Sequence, residues 1–181
     1  MQSFQPLHPF RQESWLEPIQ LRGAAKLQEG LLSLRFELDD PSGSLLLPAR
    51  SPAPERRDGL WQTTCFEAFI AKDGEPGYWE VNLAPSGDWN VYRLDDYRRG
   101  LRPEPSIQEL GHRIQGHQAG FAIDLAIRLD SLMVVDSELE LSLTAVLEQR
   151  GHGCSFWAWS HQAEEPDFHQ RSSFQPIPKR K

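Results

Sequence analysis

The stretch Phe121–Leu129 reads FAIDLAIRL, and it decides the fold because large apolar residues occupy every second position. Asp124 and Arg128 lie among the residues between them. Successive side chains of a β-strand point to opposite faces, so this pattern predicts a strand with one apolar and one polar face. An apolar strand face has to be buried, which predicts a sheet packed against a second layer.

Five further runs alternate in the same way: Leu32–Leu38, Cys65–Ile70, Tyr78–Leu83, Glu138–Ala145 and Ser155–His161. Segments rich in Asp, Pro, Ser and Gly, such as 39–43 and 84–88, separate them. Short strands at turn-marked spacing predict an all-β protein, an antiparallel β-sandwich. Helical turns are expected only near 95–99 or 107–110. Residues 1–175 are expected to form one domain, and 176–181 a flexible basic tail.

The composition of the chain argues against several classes of protein. It has 181 residues, of which 19 are basic and 26 are acidic, so the formal charge is −7. This acidic balance disfavours binding to a nucleic-acid backbone. Two cysteines cannot build a disulfide framework, no apolar run approaches the roughly 20 residues of a membrane helix, and the start MQSFQP resembles no secretory signal. We therefore expect a soluble cytoplasmic protein that binds neither nucleic acid nor membranes.

Polar residues occupy mid-strand positions opposite the aliphatic faces. They are Glu67, Glu80, Asn82, Asn90 and Asp124. On a concave sheet several of them would share one surface, where carboxylates and amides could hydrogen-bond the hydroxyl groups of a small ligand. The alternative is that these faces are merely solvated, which is usual for antiparallel sheets. Glu67 is the strongest candidate because Cys65 and Phe69 flank it, although Arg35 or Arg93 could instead form an ion pair with it.

Tryptophans supply flat apolar platforms for the C–H faces of a sugar ring. Trp157 and Trp159 are two residues apart on the same strand face as His161, so the three could line one wall of a cleft. The alternative for both tryptophans is packing in the core. Trp79 shares an aliphatic face and is expected in the core, whereas Trp61 lies between a turn and a strand and is expected to close one end of the sandwich.

Three segments carry a family resemblance: DGLWQTTCFEAFI at 58–70, YWEVNLAPSGDWNVY at 78–92, and the stretch 156–169. Together they resemble the DOMON-like β-sandwich domains related to family-nine carbohydrate-binding modules. In that family an Asp-x-Leu-Trp turn precedes a strand with a glutamate, and a Pro-x-Gly turn follows a polar strand. Asp58–Trp61, Glu67, Pro85–Gly87 and the strand of Asp124 match this order. The resemblance spans Leu31 to Phe174.

The resemblance implies a non-enzymatic module that binds a sugar or a sugar-derived small molecule on a concave sheet face, with no cofactor. The predicted ligand-binding residues are Glu67, Glu80, Asn82, Asp124, Trp157, Trp159 and His161. Two positions depart from the family pattern: Thr64 stands where related modules usually have an acidic residue, and Arg128 stands where a proline often ends the acidic strand.

Other functions remain open at this stage. DOMON domains include haem binders that use methionine and histidine, and Met133 and six histidines supply these residue types here. Paired mid-strand glutamates could hydrolyse a glycoside if their carboxyl groups lay about 5–10 Å apart. His161, Asp167 and His169 could bind a divalent metal, or the last two could simply order a loop. The domain could also be structural, with solvated sheet faces and no small ligand. The oligomeric state stays open.

Overall fold

The computed structural model describes residues 3–132 and 138–177; Met133 and the basic residues of the expected tail lie outside the described part. The described strands are β1 (Gln5–Pro6), β2 (His8–Pro9), β3 (Gln20–Gln28), β4 (Leu31–Asp39), β5 (Cys65–Lys72), β6 (Tyr78–Leu83), β7 (Trp89–Leu94), β8 (Arg102–Pro103), β9 (Gly111–His117), β10 (Gly120–Arg128), β11 (Leu139–Gln149), β12 (Gly153–Ala158) and β13 (Gln175–Pro176). The helical elements of this part are the 3-10 turns Ser14–Leu16, Leu60–Gln62 and Arg171–Ser173. No described helix has the length and apolar character needed to cross a membrane.

The strands pair into two antiparallel sheets. The first sheet has the order β1-β3-β4-β10-β9, and the second has the order β2-β12-β11-β5-β6-β7-β8, with β13 beside β11. All of these pairings are antiparallel. The predicted antiparallel β-sandwich is therefore confirmed. Pro176 still pairs with Glu140, so the folded chain continues past the expected boundary at residue 175.

The six alternating runs coincide with the strands β4, β5, β6, β10, β11 and β12, although Leu129, Glu138 and residues 159–161 lie just outside the strand ends. The strand β3 has a weaker pattern, QLRGAAKLQ, with small residues at its centre. Strand β3 nevertheless pairs along the whole of β4. A tight hairpin turn at Glu29 and Gly30, with φ of 51° and 72°, joins the two strands. Two positive φ values match the right-handed twist of the strands. The stretches 95–99 and 107–110 contain no helical turn.

The apolar strand faces meet between the two sheets and form the main core. Phe66 of β5 lies between two rings of the first sheet, with centroid distances of 5.3 Å to Phe36 and 5.6 Å to Phe121. These aromatic contacts join the two layers directly. Trp79 is also buried in this core, as the sequence predicts.

The outer faces of the two sheets differ in their exposure. On the first sheet, Arg35 and Asp124 are partly exposed and form a two-pronged ion pair with both distances 2.8 Å. On the second sheet, every residue of β6 is buried. Phe168 and Phe174, which follow β12 in the chain, cover this face by packing on Phe69. The prediction of a solvated polar face therefore describes the first sheet but not the centre of the second.

Replacing Phe66 by alanine should lower the free energy of unfolding by about 3–5 kcal/mol, because it removes a fully buried ring from between the sheets. Urea denaturation followed by tryptophan fluorescence measures this loss. The matched control is Leu47→Ala, where the side chain is 45% exposed, and its effect should stay within about 0.5 kcal/mol. Equal losses for the two variants would contradict the proposed core.

Candidate functional site

A cavity of about 320 Å³ lies over the outer face of the second sheet. The strands contribute Glu67, Phe69, Glu80, Leu94, Val146 and Phe156 to its lining, and the loops contribute Trp61, Arg98, Leu101, Pro166, Phe168 and His169. The sheet therefore forms the floor of the cavity, and loops that cover the sheet form its walls.

The polar part of the floor is built by the pairing of β5 with β6. Glu67 lies opposite Asn82, and Glu80 lies two residues along β6 on the same face. Asn82 Nδ2 donates to Glu80 Oε1 at 2.9 Å, and the Thr144 hydroxyl donates to Glu67 Oε2 at 3.5 Å. Glu67 Oε1 and Asn82 Oδ1 are buried and have no hydrogen-bond partner. Because buried polar atoms are nearly always hydrogen-bonded, and Glu67 lines the cavity, its unpaired Oε1 points to a ligand that bonds to it.

Among the described residues, neither carboxylate of this floor forms an ion pair with an arginine or a lysine. The partners considered from the sequence are engaged elsewhere: Arg35 bonds to Asp124 on the other sheet, and Arg93 lies over the Trp79 ring at 4.7 Å. Glu67 is 2% exposed, so its carboxyl group sits in a desolvated place without a countercharge.

This environment changes how both glutamates titrate. Burial, followed by the charge of Glu80, raises the pKa of Glu67 well above its ordinary value. Burial also raises the pKa of Glu80, although the hydrogen bond from Asn82 and the charge of Arg98 oppose the change. Both groups are thus shifted toward the protonated form, as expected for carboxyls taken out of water.

His169 closes the cavity on the side of Glu80. Its Nδ1 lies 2.7 Å from the Tyr78 hydroxyl, whose oxygen also accepts the backbone N–H of Arg98 at 3.1 Å. The Tyr78 proton is therefore free to bond to Nδ1, which leaves the ring proton on Nε2. Nε2 lies 4.0 Å from Glu80 Oε2, too far for a direct hydrogen bond. Burial, followed by the charge of Arg98, lowers the pKa of His169 to about 4, so its imidazole is neutral near pH 7.

Asp167 fixes the loop that carries His169. Its carboxylate accepts hydrogen bonds from the Tyr97 hydroxyl at 2.5 Å, from the Arg98 guanidinium at 2.8 Å and from the His169 backbone at 3.0 Å. These contacts agree with the interpretation in which Asp167 and His169 order a loop. Within residues 3–132 and 138–177, no group of three His, Cys, Asp or Glu side chains is placed to hold a metal ion.

Trp61 lies at the mouth of the cavity and is 37% exposed. Gly59, with φ of 74°, begins the 3-10 turn that carries it. Asp58 anchors this turn to β7, since its Oδ1 accepts the Tyr92 hydroxyl at 2.8 Å and Asn90 Nδ2 at 3.0 Å. Trp61 therefore lines the cavity, contrary to the prediction that it closes one end of the sandwich.

Three phenylalanines form an apolar wall that sequence reasoning missed. The Phe168 ring lies 6.1 Å from that of Phe156 and 6.3 Å from that of Phe69. Phe69 shares its strand face with Cys65, Glu67 and Ala71, and Phe156 shares its face with Cys154 and Ala158. The scarcity of polar side chains on these two faces was thus the available signal that they are covered rather than solvated.

Of the predicted ligand-binding residues, Glu67, Glu80 and Asn82 come together, while Asp124 and His161 lie elsewhere. Asp124 is on the outer face of the first sheet. His161 lies beyond the end of β12, where Nε2 is 2.9 Å from the His8 carbonyl oxygen. The alternating pattern correctly placed Asp124 on a polar face, but it did not specify which sheet that face belongs to.

The two tryptophans predicted as platforms also lie away from the cavity. Trp157 is buried in the core, 3% exposed, and borders a separate hollow of about 510 Å³ beside the N-terminal residues Leu7 and Leu16. Trp159 is partly buried and packs against the same core. Of the two alternatives that the sequence left open for these tryptophans, the structure favours packing in the core, because their side of the strand faces the other sheet.

No protein-family model and no curated protein matches this sequence. Solved structures do match. A candidate carbohydrate-binding protein from Bacteroides uniformis has a TM-score of 0.70 at 13% identity, over 97% of this chain and 85% of that one. A family-nine carbohydrate-binding module from Caldicellulosiruptor kristjanssonii, in complex with cellotriose, has a TM-score of 0.55 at 10% identity, over 97% and 81%. Its complex with glucose has a TM-score of 0.56 at 11% identity, over 98% and 82%.

These similarities define the class of structure. The chain has the β-sandwich fold seen in family-nine carbohydrate-binding modules, and the likeness extends over nearly its whole length. At such low identity the fold is what is shared. A closer relationship to DOMON domains stays a prediction from the sequence.

Replacing Glu67 by glutamine should stabilise the protein increasingly as the pH rises above about 4.5. A carboxyl whose pKa is raised on folding stabilises the native state only while protonated, so native stability falls with pH relative to the variant, by up to about 1.4 kcal/mol per pH unit. Thermal unfolding at pH 4, 6 and 8 measures the difference. The exposed Glu109→Gln variant is the control and should show no such trend. A Glu67→Gln variant that loses stability as the pH rises would contradict the assignment.

Proposed function

We propose that this protein is a non-enzymatic module that binds a sugar or a sugar-derived small molecule in the cavity over the second sheet. The observation that carries the proposal is Glu67 Oε1, a buried atom without a hydrogen-bond partner on a side chain that lines the cavity. Sugars present several hydroxyl groups on an otherwise apolar ring. A ligand of this kind would hydrogen-bond to Glu67 and contact the aromatic walls as well.

The dimensions of the cavity favour a small ligand. Its volume of about 320 Å³ is at the lower end of the range of about 300–1,000 Å³ for small-molecule sites. Trp61 stands partly exposed at its mouth, where its ring offers a flat surface to a ligand that enters. These features support one small polar molecule rather than a long polymer laid across a flat face.

Binding explains the two glutamates better than catalysis does. Canonical glycoside hydrolysis needs two carboxyl groups that flank the scissile bond, with one of them ionised in order to act as nucleophile or base. Here Glu67 and Glu80 share one sheet face, and burial is the main reason why both are shifted toward the protonated form. The likeness to structures of carbohydrate-binding modules, one of them with glucose, also supports binding.

The haem alternative receives less support from the site. His169 is the histidine that lines the cavity, and its Nδ1 is already bonded to Tyr78 while Nε2 faces Glu80. A haem whose iron bound to His169 would have to break these contacts. The purely structural alternative leaves the buried, unpaired Glu67 Oε1 of the cavity floor without an explanation.

Titration with a panel of mono- and oligosaccharides should give a saturable change in tryptophan fluorescence. This change is expected because Trp61 lines the mouth of the cavity. In calorimetric titrations, Glu67→Gln and Trp61→Ala should each weaken binding by about tenfold or more, since one loses a carboxyl group that bonds to the ligand and the other a stacking surface.

Asp124→Asn is the matched control, because Asp124 was a sequence-based candidate that lies on the opposite sheet. Its binding constant should equal that of the native protein. Equal losses in Asp124→Asn and Glu67→Gln would place the site elsewhere, and no response to any member of the panel would refute sugar binding.

A further inference from the structure

We propose that the ligand carries a protonated amine, so that the site takes an amino sugar in preference to a neutral one. This inference rests on the proposed function, because it names the chemical class of ligand for the same cavity. Its starting point is the cavity floor, where Glu67 and Glu80 are 2% and 5% exposed and lie on the same face of the second sheet.

The nearby positive groups do not neutralise this pair. Arg98 lines the cavity, but its guanidinium is bonded to Asp167 at 2.8 Å, and its side chain is 51% exposed. The imidazole of His169 is 4.0 Å from Glu80, and it is partly buried and neutral. Among the described residues, the cavity floor therefore presents two carboxyl groups without a basic side chain paired to them. A cation supplied by the ligand would offset the desolvation of this pair.

The hydrogen-bonding groups of the cavity floor also favour a ligand with an amine. On the cavity lining, Glu67 Oε1 accepts nothing from the protein, and Glu80 Oε2 lies too far from His169 for a hydrogen bond. A nearby cation favours the ionised form of a carboxyl group, so a bound ammonium group would make both oxygens acceptors. A hydroxyl group brings one donor, whereas an ammonium group brings three together with a positive charge. An amine is thus the single group that best matches the floor.

The walls suit a cation attached to an apolar ring. Phe69, Phe156 and Phe168 surround the floor with aromatic rings, and Trp61 stands at the mouth. Aromatic faces attract cations most strongly where water is excluded. The same rings also contact the C–H faces of a sugar. The acidic floor and the aromatic walls of the cavity together fit a ligand that is both polyhydroxylated and basic.

The test compares three matched sets of probes at about pH 6.5, where free amines remain protonated. The sets are glucosamine, galactosamine and mannosamine, each with its neutral parent sugar and its N-acetyl derivative, titrated by calorimetry. At least one free amine should bind about tenfold or more tightly than both of its neutral counterparts. Acetylation removes the charge and adds bulk, and comparison with the parent sugar separates these two effects.

The variant Glu80→Gln should lower the affinity for the free amine more than the affinity for the parent sugar, so that their ratio falls to about one. The control Asp124→Asn should keep the native ratio, and the unfolding temperature of each variant reports whether it is folded. If Glu80→Gln does not fold, the ratio in Glu67→Gln serves instead.

The outcomes separate this inference from the proposed function. Parent sugars that bind as tightly as the free amines, or more tightly, would overturn the amine assignment and leave sugar binding standing. A panel in which no sugar binds in any form would overturn both.

Discussion

The antiparallel pairing of β5 with β6 is the constraint on which both the core and the cavity depend. Its register sets Glu67 opposite Asn82 on one face, and Phe66 opposite Leu83 on the other. Because side chains alternate along a strand, a shift of one residue in either strand would move its acidic group into the core and expose its apolar side. The contact of Phe66 with Phe36 resists such a shift from the opposite layer. Packing of the two sheets thus holds the polar floor in place.

The cavity combines chemical features that work against stability. A carboxyl group such as Glu67, buried without a countercharge, disfavours the folded state at neutral pH, and an orphan acceptor does so at any pH. Natural proteins tolerate such groups where function requires them. Hydrogen bonds around Asp58 and Asp167 offset part of this cost by fixing the surrounding loops. The loops around the cavity are thus held by hydrogen bonds, whereas Glu67 Oε1 on its floor has no partner.

The sequence predicted the strands well because alternation is a local signal, and FAIDLAIRL forms β10 as expected. It also identified Glu67 as the strongest site candidate, since flanking apolar residues implied burial. It could not assign Asp124 to a sheet, because a polar face looks the same on either layer. Nor could it place His169 over Glu80, because that approach depends on a loop bonded to the chain about 70 residues earlier. Contacts that loops make between distant residues produce no periodic pattern in the sequence.

The attachment of that loop determines when the cavity can close during synthesis. Strands β5, β6 and β7 precede residue 95, but the wall of Phe168 and His169 is translated only after β12. A nascent chain that ends before this wall already contains these three strands. In such a chain, Phe69 and its acidic neighbours would face water. The cavity is therefore completed late, when Asp167 forms its hydrogen bonds with Tyr97 and Arg98. Without this closing segment, the outer face of the second sheet at Phe69 would stay uncovered.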